Sequence, residues 1–290
     1  MTRRHALLLA APALQAQRLT PVDELVNTFE MEQMAQRTLP PELFAEITGS
    51  NRSAFDRITF RPRMMVNTLE LDLTTELFGE RHFAPILVAP LANVSRYHPD
   101  GETAIQQGAT AAKATVIGAP NSTTPWTQVA DAIPPQAKVL FLTAPFEDAA
   151  LKKLRAATKL PIVVKGILSP AAAKQAIANG ASGLVISNHR SPQTASIEIL
   201  PAIAAEVNNK VPILIDGSFR RGSDILKALA LGAKAVLIGR PVLWGLAAYG
   251  ARGVQQVLEQ LQTELARDMA MCGLRTCAQA TPQYLKIHRR

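Results

Sequence analysis

The chain has 290 residues, 48% hydrophobic and 19% charged, enough to bury a full core as one large domain or two small ones. Lys and Arg outnumber Asp and Glu by 31 to 23, a net charge of +8, yet aromatics are only 5% and the basic residues are scattered. That distribution argues against a nucleic-acid surface and for one that favours small anions.

The chain opens with MTRRHALLLAAPALQAQ, a basic stretch, an apolar run from Ala6 to Leu14, and small residues before Gln17. This is the layout of an export signal, too short to span a bilayer. Thr2-Arg3-Arg4-His5-Ala6-Leu7-Leu8 resembles a twin-arginine signal. The expectation is a signal at 1–16, a single domain at 17–290 and a periplasmic location, the alternative being a cytosolic terminus with chance arginines. No later segment reads as a membrane span.

A charged helical lead-in follows, Val22 to Arg37, and then a rhythm begins. Short apolar runs occur at 85–90, 114–120, 138–145, 161–166, 183–189, 211–217 and 235–241. Each is apolar without alternation, as expected of a strand covered on both faces. Between them lie alanine-rich segments with apolar residues at helical spacing, such as GETAIQQGATAAKA, SPAAAKQAIANGA and GSDILKALALGA. Strands alternating with helices imply parallel strands with right-handed crossovers. No G-x-G-x-x-G follows the first strand, which favours a TIM-type (β/α) barrel over an open doubly wound sheet. Seven runs are visible, so one strand and helix unit of the usual eight is deleted or degenerate. Cys272 and Cys277 fall near a helix end, form neither a metal-binding nor a disulfide pattern, and read as packing residues.

A barrel carries its chemistry at the carboxyl ends of its strands. Those ends read Pro90-Leu91-Ala92, Lys165-Gly166, Ser187-Asn188-His189, Asp216-Gly217 and Gly239-Arg240-Pro241, placing a lysine, a histidine, an aspartate and an arginine around one opening. DGSFRRGSD (216–224) and IGRP (238–241) each set glycine beside arginine just before a helix. Loops after the last two barrel strands commonly bind phosphate in this way. Glycine admits backbone N–H groups, and Arg220 and Arg240 offer charge-assisted bonds. The site is therefore expected to hold a phosphorylated substrate or cofactor. No metal site is expected.

SNRSAFDRITFRPRMMVN (50–67), PILVAPLA (85–92) with HPDGE (98–102), LPIVVKGI (160–167), LVISNH (184–189) and the whole of 211–247 resemble the FMN-dependent α-hydroxy-acid dehydrogenases and oxidases. The resemblance runs from about Leu25 to about Ala280. It implies an FMN-binding barrel that oxidises a 2-hydroxy acid, or an altered small substrate, to the 2-keto product. By that resemblance His189 is the base, Asp216 its holder, and Lys165 the cation beside the flavin. Ser187 bonds the flavin, and Pro90, Leu91 and Ala92 make backbone contacts to its ring. Asp216, Gly217, Ser218, Phe219 and Arg220, with Gly239 and Arg240, form the ribityl-phosphate cradle.

The pattern also breaks. Where the family has an arginine that grips the substrate carboxylate, this chain has Pro192, in His189-Arg190-Ser191-Pro192, leaving Arg190 as a weak substitute from a shifted loop. A substrate-facing tyrosine aligns with Glu46, which would repel a carboxylate, and a family Gln-x-Tyr reads Leu142-Thr143-Ala144. A serine aligns with Ala119, and the stretch from Ala144 to Pro161 is too short for the family's fourth strand. A barrel short of one strand leaves an edge for the amino-terminal segment or a partner subunit to cover. Two other functions stay open: a degenerate member serving as a flavin-binding or structural protein, and a lyase using Lys165 as a Schiff-base nucleophile. The electron acceptor is open among oxygen, quinone and cytochrome, and a homo-oligomer is open too.

Overall fold

The computed structural model describes residues 19–49, 51–63, 65–118, 139–143, 148–189 and 193–288. The amino-terminal signal expected at 1–16 lies outside these. Helices in chain order are α1 (Thr28–Thr38), α2 (Pro41–Ile47), α3 (Ser53–Asp56), α4 (Gly101–Ala111), α5 (Asp148–Ala157), α6 (Pro170–Ala178), α7 (Ser196–Val207), α8 (Gly222–Ala230) and α9 (Arg240–Met271). Strands are β1 (Ile58–Phe60), β2 (Thr75–Leu77), β3 (Glu80–His82), β4 (Ile86–Val88), β5 (Thr115–Val116), β6 (Leu140–Thr143), β7 (Ile162–Ile167), β8 (Gly183–Ile186), β9 (Ile213–Ile215), β10 (Ala235–Ile238) and β11 (Leu285–Ile287).

The strands β4 to β10 make one parallel sheet of seven in the order β5-β4-β10-β9-β8-β7-β6. They coincide with the seven apolar runs. Pairing of β10 with β4 joins the last strand of the series to the first, as barrel closure requires, with Val236 beside Ile86 and Ile238 beside Val88. Among the described residues β5 and β6 form the two edges, so the sheet is a curled, partial (β/α) barrel. Between β6 and β7 a single helix, α5, leads from one strand directly to its neighbour.

Strand alternation sorts the core into two layers. Leu87, Ala89, Ile117, Val163, Val185, Leu214, Ala235 and Leu237 meet inside the curl, whereas Ile86, Val88, Ile162, Val164, Leu184, Ile186, Ile213, Ile215, Val236 and Ile238 face the helices. Continuing the inward set by two residues brings Lys165, Ser187, Asp216 and Gly239 to the upper rim. The period of two thus places the polar groups in one layer.

The floor of the curl is a hairpin that carries little signal in the sequence. Phe78 (φ 53°) and Gly79 (φ 82°) form the two-residue turn between β2 and β3, both left-handed as such turns require. Leu77 and Phe78 pack into the inner layer, and Phe78 presses so closely on the first residue of β8, Gly183, that a Cβ there would lie 2.7 Å from the ring. A second pairing, β1 with β11, is antiparallel and ties Ile58 to Ile287.

Capping sets the helix starts. Asn27 accepts from the backbone N–H groups of Phe29 and Glu30 at 2.9 and 3.2 Å to open α1, which buries Met31, Met34 and Ala35 at the spacing of one helical face. Ser169 does the same for α6, with Pro170 in its first turn.

The long α9 turns at Gly250 (φ 58°, ψ −138°), which brings its two halves together. Gly245 and Gly253 touch backbone to backbone there, and a Cβ on either would overlap the other's carbonyl. Gly253→Ala is expected to destabilise the fold by about 1–3 kcal/mol, the usual range for overpacking. A thermal melt reads this directly, and an unchanged midpoint would mean the two halves stand further apart.

Candidate functional site

The rim formed by the carboxyl ends of the parallel strands gathers most of the residues picked out from the sequence. Lys165 is buried, and its Nζ donates to Ser187 Oγ at 2.8 Å and pairs with Asp216 Oδ2. Lys165 lies within β7, while Ser187 and Asp216 directly follow the neighbouring strands β8 and β9. His189 lies two residues beyond Ser187, exposed, and its imidazole makes no hydrogen bond among the described residues. Asp216 is thus engaged by Lys165, and no hydrogen bond joins it to His189. Asn188 anchors the loop that carries the histidine, its Nδ2 donating to the Thr194 carbonyl at 2.8 Å. Pro90 and Leu91 are half-buried at the end of β4 and Ala92 is exposed beside them. Arg190 lies outside the described residues, as do Ala119, Ala144, Ser191 and Pro192.

The second cluster follows β9 and β10. Arg220 is only 2% exposed, yet its Nε and one terminal nitrogen have no hydrogen-bond partner. The other terminal nitrogen donates to the Phe219 carbonyl at 2.8 Å, and the guanidinium lies 4.5 Å from the centre of the Trp244 ring. Burial, reinforced by the nearby Arg240 cation, pushes the Arg220 pKa down to about 9, so at neutral pH the group is still charged. Arg240 is half-buried, also shifted downward by burial, and donates to the Thr48 carbonyl at 3.3 Å and to that of Gly49.

A buried cation with unmet donors is costly unless an anion completes it. Gly239 directly follows β10, and a Cβ built on it would meet only Ala89 and Leu91, in ordinary contact at 3.8 Å. Gly217 takes a left-handed conformation (φ 106°), as does Ser218 (φ 62°), giving the irregular, N–H-presenting turn typical of phosphate sites. Residues 217–220 and 239–240 therefore fit a phosphate group on the strength of orphaned buried donors.

Comparison with known proteins decides the family. The family model for FMN-dependent dehydrogenases matches residues 44–151 and 140–287. The chain belongs to the FMN-dependent dehydrogenase family. A peroxisomal (S)-2-hydroxyacid oxidase of Arabidopsis thaliana is 30% identical over 353 aligned positions, 91% of this chain and 97% of the relative. An L-lactate oxidase of Nostoc sp. is 32% identical, covering 88% of this chain and 96% of its own. A crystal structure of mandelate oxidase with (S)-2-phenylpropionate superposes with a TM-score of 0.84 at 30% identity, over 92% of this chain and 100% of that one.

An alignment of 353 positions exceeds the 290 residues of this chain, so the Arabidopsis relative carries internal segments missing here. The two-part match of the FMN-dependent dehydrogenase model meets at residues 140–151, where α5 replaces anything longer between β6 and β7. The position expected to repel a carboxylate, Glu46, is neutralised. It takes Arg96 in a two-pronged pair at 2.6 and 2.9 Å and accepts from the Tyr97 hydroxyl at 3.2 Å, and bonding to Arg96 holds its carboxyl below the usual range. Leu142 is fully buried in the core.

Several contributors were not picked out from the sequence. Trp244 stacks under Arg220 and donates from its ring nitrogen to the Ile47 carbonyl at 3.1 Å. Asp224 and Arg52 brace the turn from outside, 172 residues apart in sequence. The one local hint is the placing of Asp224 three residues after Arg221, where it accepts from the Arg221 N–H at 2.9 Å as a capping residue does. The cysteines are remote from the site. Burial raises Cys272 to about 11 and Cys277 to about 12, so both stay protonated at neutral pH.

Proposed function

We propose that this chain oxidises a small 2-hydroxy acid to the 2-keto acid, with His189 as the base and FMN held at the rim. The reading is supported by hydroxy-acid oxidases among the relatives and by one observation above all: the Arg220 guanidinium is buried with two nitrogens unpaired, on the same rim as Lys165 and His189. Arg220 and Arg240 are the ligands for the phosphate, with Gly217, Ser218, Phe219 and Gly239 supplying backbone. Pro90, Leu91 and Ala92 line the ring. When bound, FMN supplies a two-electron acceptor for the substrate carbon.

The side chains divide the remaining work. His189, exposed and without a hydrogen bond among the described residues, is open to a substrate hydroxyl, and a well-placed base is worth about 10²–10⁴ in rate. Lys165 contributes a fixed positive charge inside the rim, held in place by Ser187 and Asp216, where it favours negative charge developing nearby. Asp216 acts through Lys165, with which it is paired.

The experiment is direct. The purified protein is expected to be yellow or to become so with FMN, and its flavin band to bleach anaerobically with lactate or glycolate. A chain that binds FMN but keeps the flavin oxidised with a panel of 2-hydroxy acids would overturn the activity and favour a flavin-binding role. We also propose export, on the basis of the MTRRHALLLAAPALQAQ layout; recovery of the protein in the periplasmic fraction only when Arg3 and Arg4 are intact tests it, and cytosolic recovery of the unaltered chain refutes it.

A further inference from the structure

The turn that carries Arg220 is fixed entirely from behind, by side chains not expected to touch the cofactor. Ser218 holds an unfavourable left-handed conformation, and Arg52 donates to its carbonyl at 2.9 Å. The same guanidinium forms a two-pronged pair with Asp224 at 2.7 and 2.9 Å. Asp224, wholly buried, accepts in addition from the backbone N–H groups of Arg220 and Arg221, each at 2.9 Å. Thr28 completes the set by donating its hydroxyl to the Arg220 carbonyl at 2.6 Å. Arg52 is itself held between the rings of Phe29 and Phe55, 5.4 Å from each centre, and Phe55 meets Phe219 edge-on at 5.0 Å.

Each of these bonds uses a backbone group of the turn or the Arg52–Asp224 pair, and none uses the Arg220 nitrogens that remain unpaired. We infer that Arg52 is a positioning residue for the cofactor phosphate: it locks the Gly217–Arg221 turn so that Arg220 presents free donors to the anion, while Asp224 keeps Arg52 itself away from it. The inference rests on the FMN reading above. Its consequence is selective. Arg52 acts on the phosphate end alone, so it separates FMN from riboflavin, which lacks that group.

Equilibrium titration of the full-length, flavin-free chain with FMN and with riboflavin tests this. Arg52→Ala is expected to weaken FMN roughly 30-fold, the scale of a lost charge-assisted bond, and to leave riboflavin within about twofold. Arg52→Lys, which keeps the charge and loses the planar fork, is expected to fall between. In an Arg220→Met background, Arg52→Ala is expected to add little, since the group it positions is gone. Equal losses for FMN and riboflavin, or full additivity with Arg220→Met, would reduce Arg52 to a general structural role and overturn the inference. Should Arg52→Ala fail to fold, Arg52→Lys carries the same comparison. An unaltered chain that binds neither flavin sinks the parent reading instead, and one that binds both equally sinks this inference while sparing flavin binding.

Discussion

The His189→Ala protein is expected to hold FMN as tightly as the unaltered chain and to keep it oxidised when a 2-hydroxy acid is added. The histidine is exposed at the rim and makes no hydrogen bond among the described residues, so its removal leaves the Lys165, Ser187 and Asp216 group and the arginine pair untouched. Flavin affinity is therefore expected to change little. The rate of flavin reduction, by contrast, is expected to drop by about 10²–10⁴, the range that a positioned base supplies. Stopped-flow reduction under anaerobic conditions measures it, and FMN titration serves as the control. A reduction rate equal to that of the unaltered chain would strip His189 of its role as base, and Asp216 would then be the next candidate to test.

Arg220→Met is expected to produce two effects of opposite sign. FMN affinity falls, because the phosphate loses a buried, charge-assisted partner; truncating one side of such a pair costs about 2–5 kcal/mol. Stability of the flavin-free protein rises, because the substitution removes a buried cation whose donors the chain leaves unmet. Replacing buried ionic groups with apolar ones of similar volume stabilises by about 1–4 kcal/mol in favourable cases. Methionine suits the slot against Trp244, since a thioether packs well on an aromatic face. Thermal melts without flavin, alongside FMN titration, give both numbers. A variant that melts lower and binds FMN normally would show that Arg220 is a structural cation and that the anion is held elsewhere.

The sequence made the barrel visible wherever both faces of a strand are covered, because those strands are uninterrupted apolar runs. It hid the hairpin of β2 and β3, whose residues Thr75, Glu76, Glu80, Arg81 and His82 carry no apolar alternation and whose single buried anchor is Leu77 beside Phe78. It hid the pairing of β1 with β11 for a different reason, since Thr59 and Lys286 meet only after the whole chain has folded back. At the site, Lys165, Ser187 and Asp216 were legible because each closes an apolar run. Their mutual bonding was not, for it follows from the lateral order β7-β8-β9. The ion pair therefore joins Asp216, just past the end of β9, to Lys165 within β7, and the histidine lies further beyond the end of its own strand. Arg52 and Asp224 stand 172 residues apart, and only the fold reveals Asp224 as fully buried and Arg52 as its clamp.

The brace across the phosphate turn has a bearing on biosynthesis. Thr28 and Arg52 leave the ribosome long before Ser218, Arg220 and Asp224 exist to receive them, and Arg240 and Trp244 come later still. A half-made chain thus owns the clasp but nothing to fasten. The pocket for vitamin-derived cargo is therefore complete only once translation has passed residue 244, late in the making of the chain.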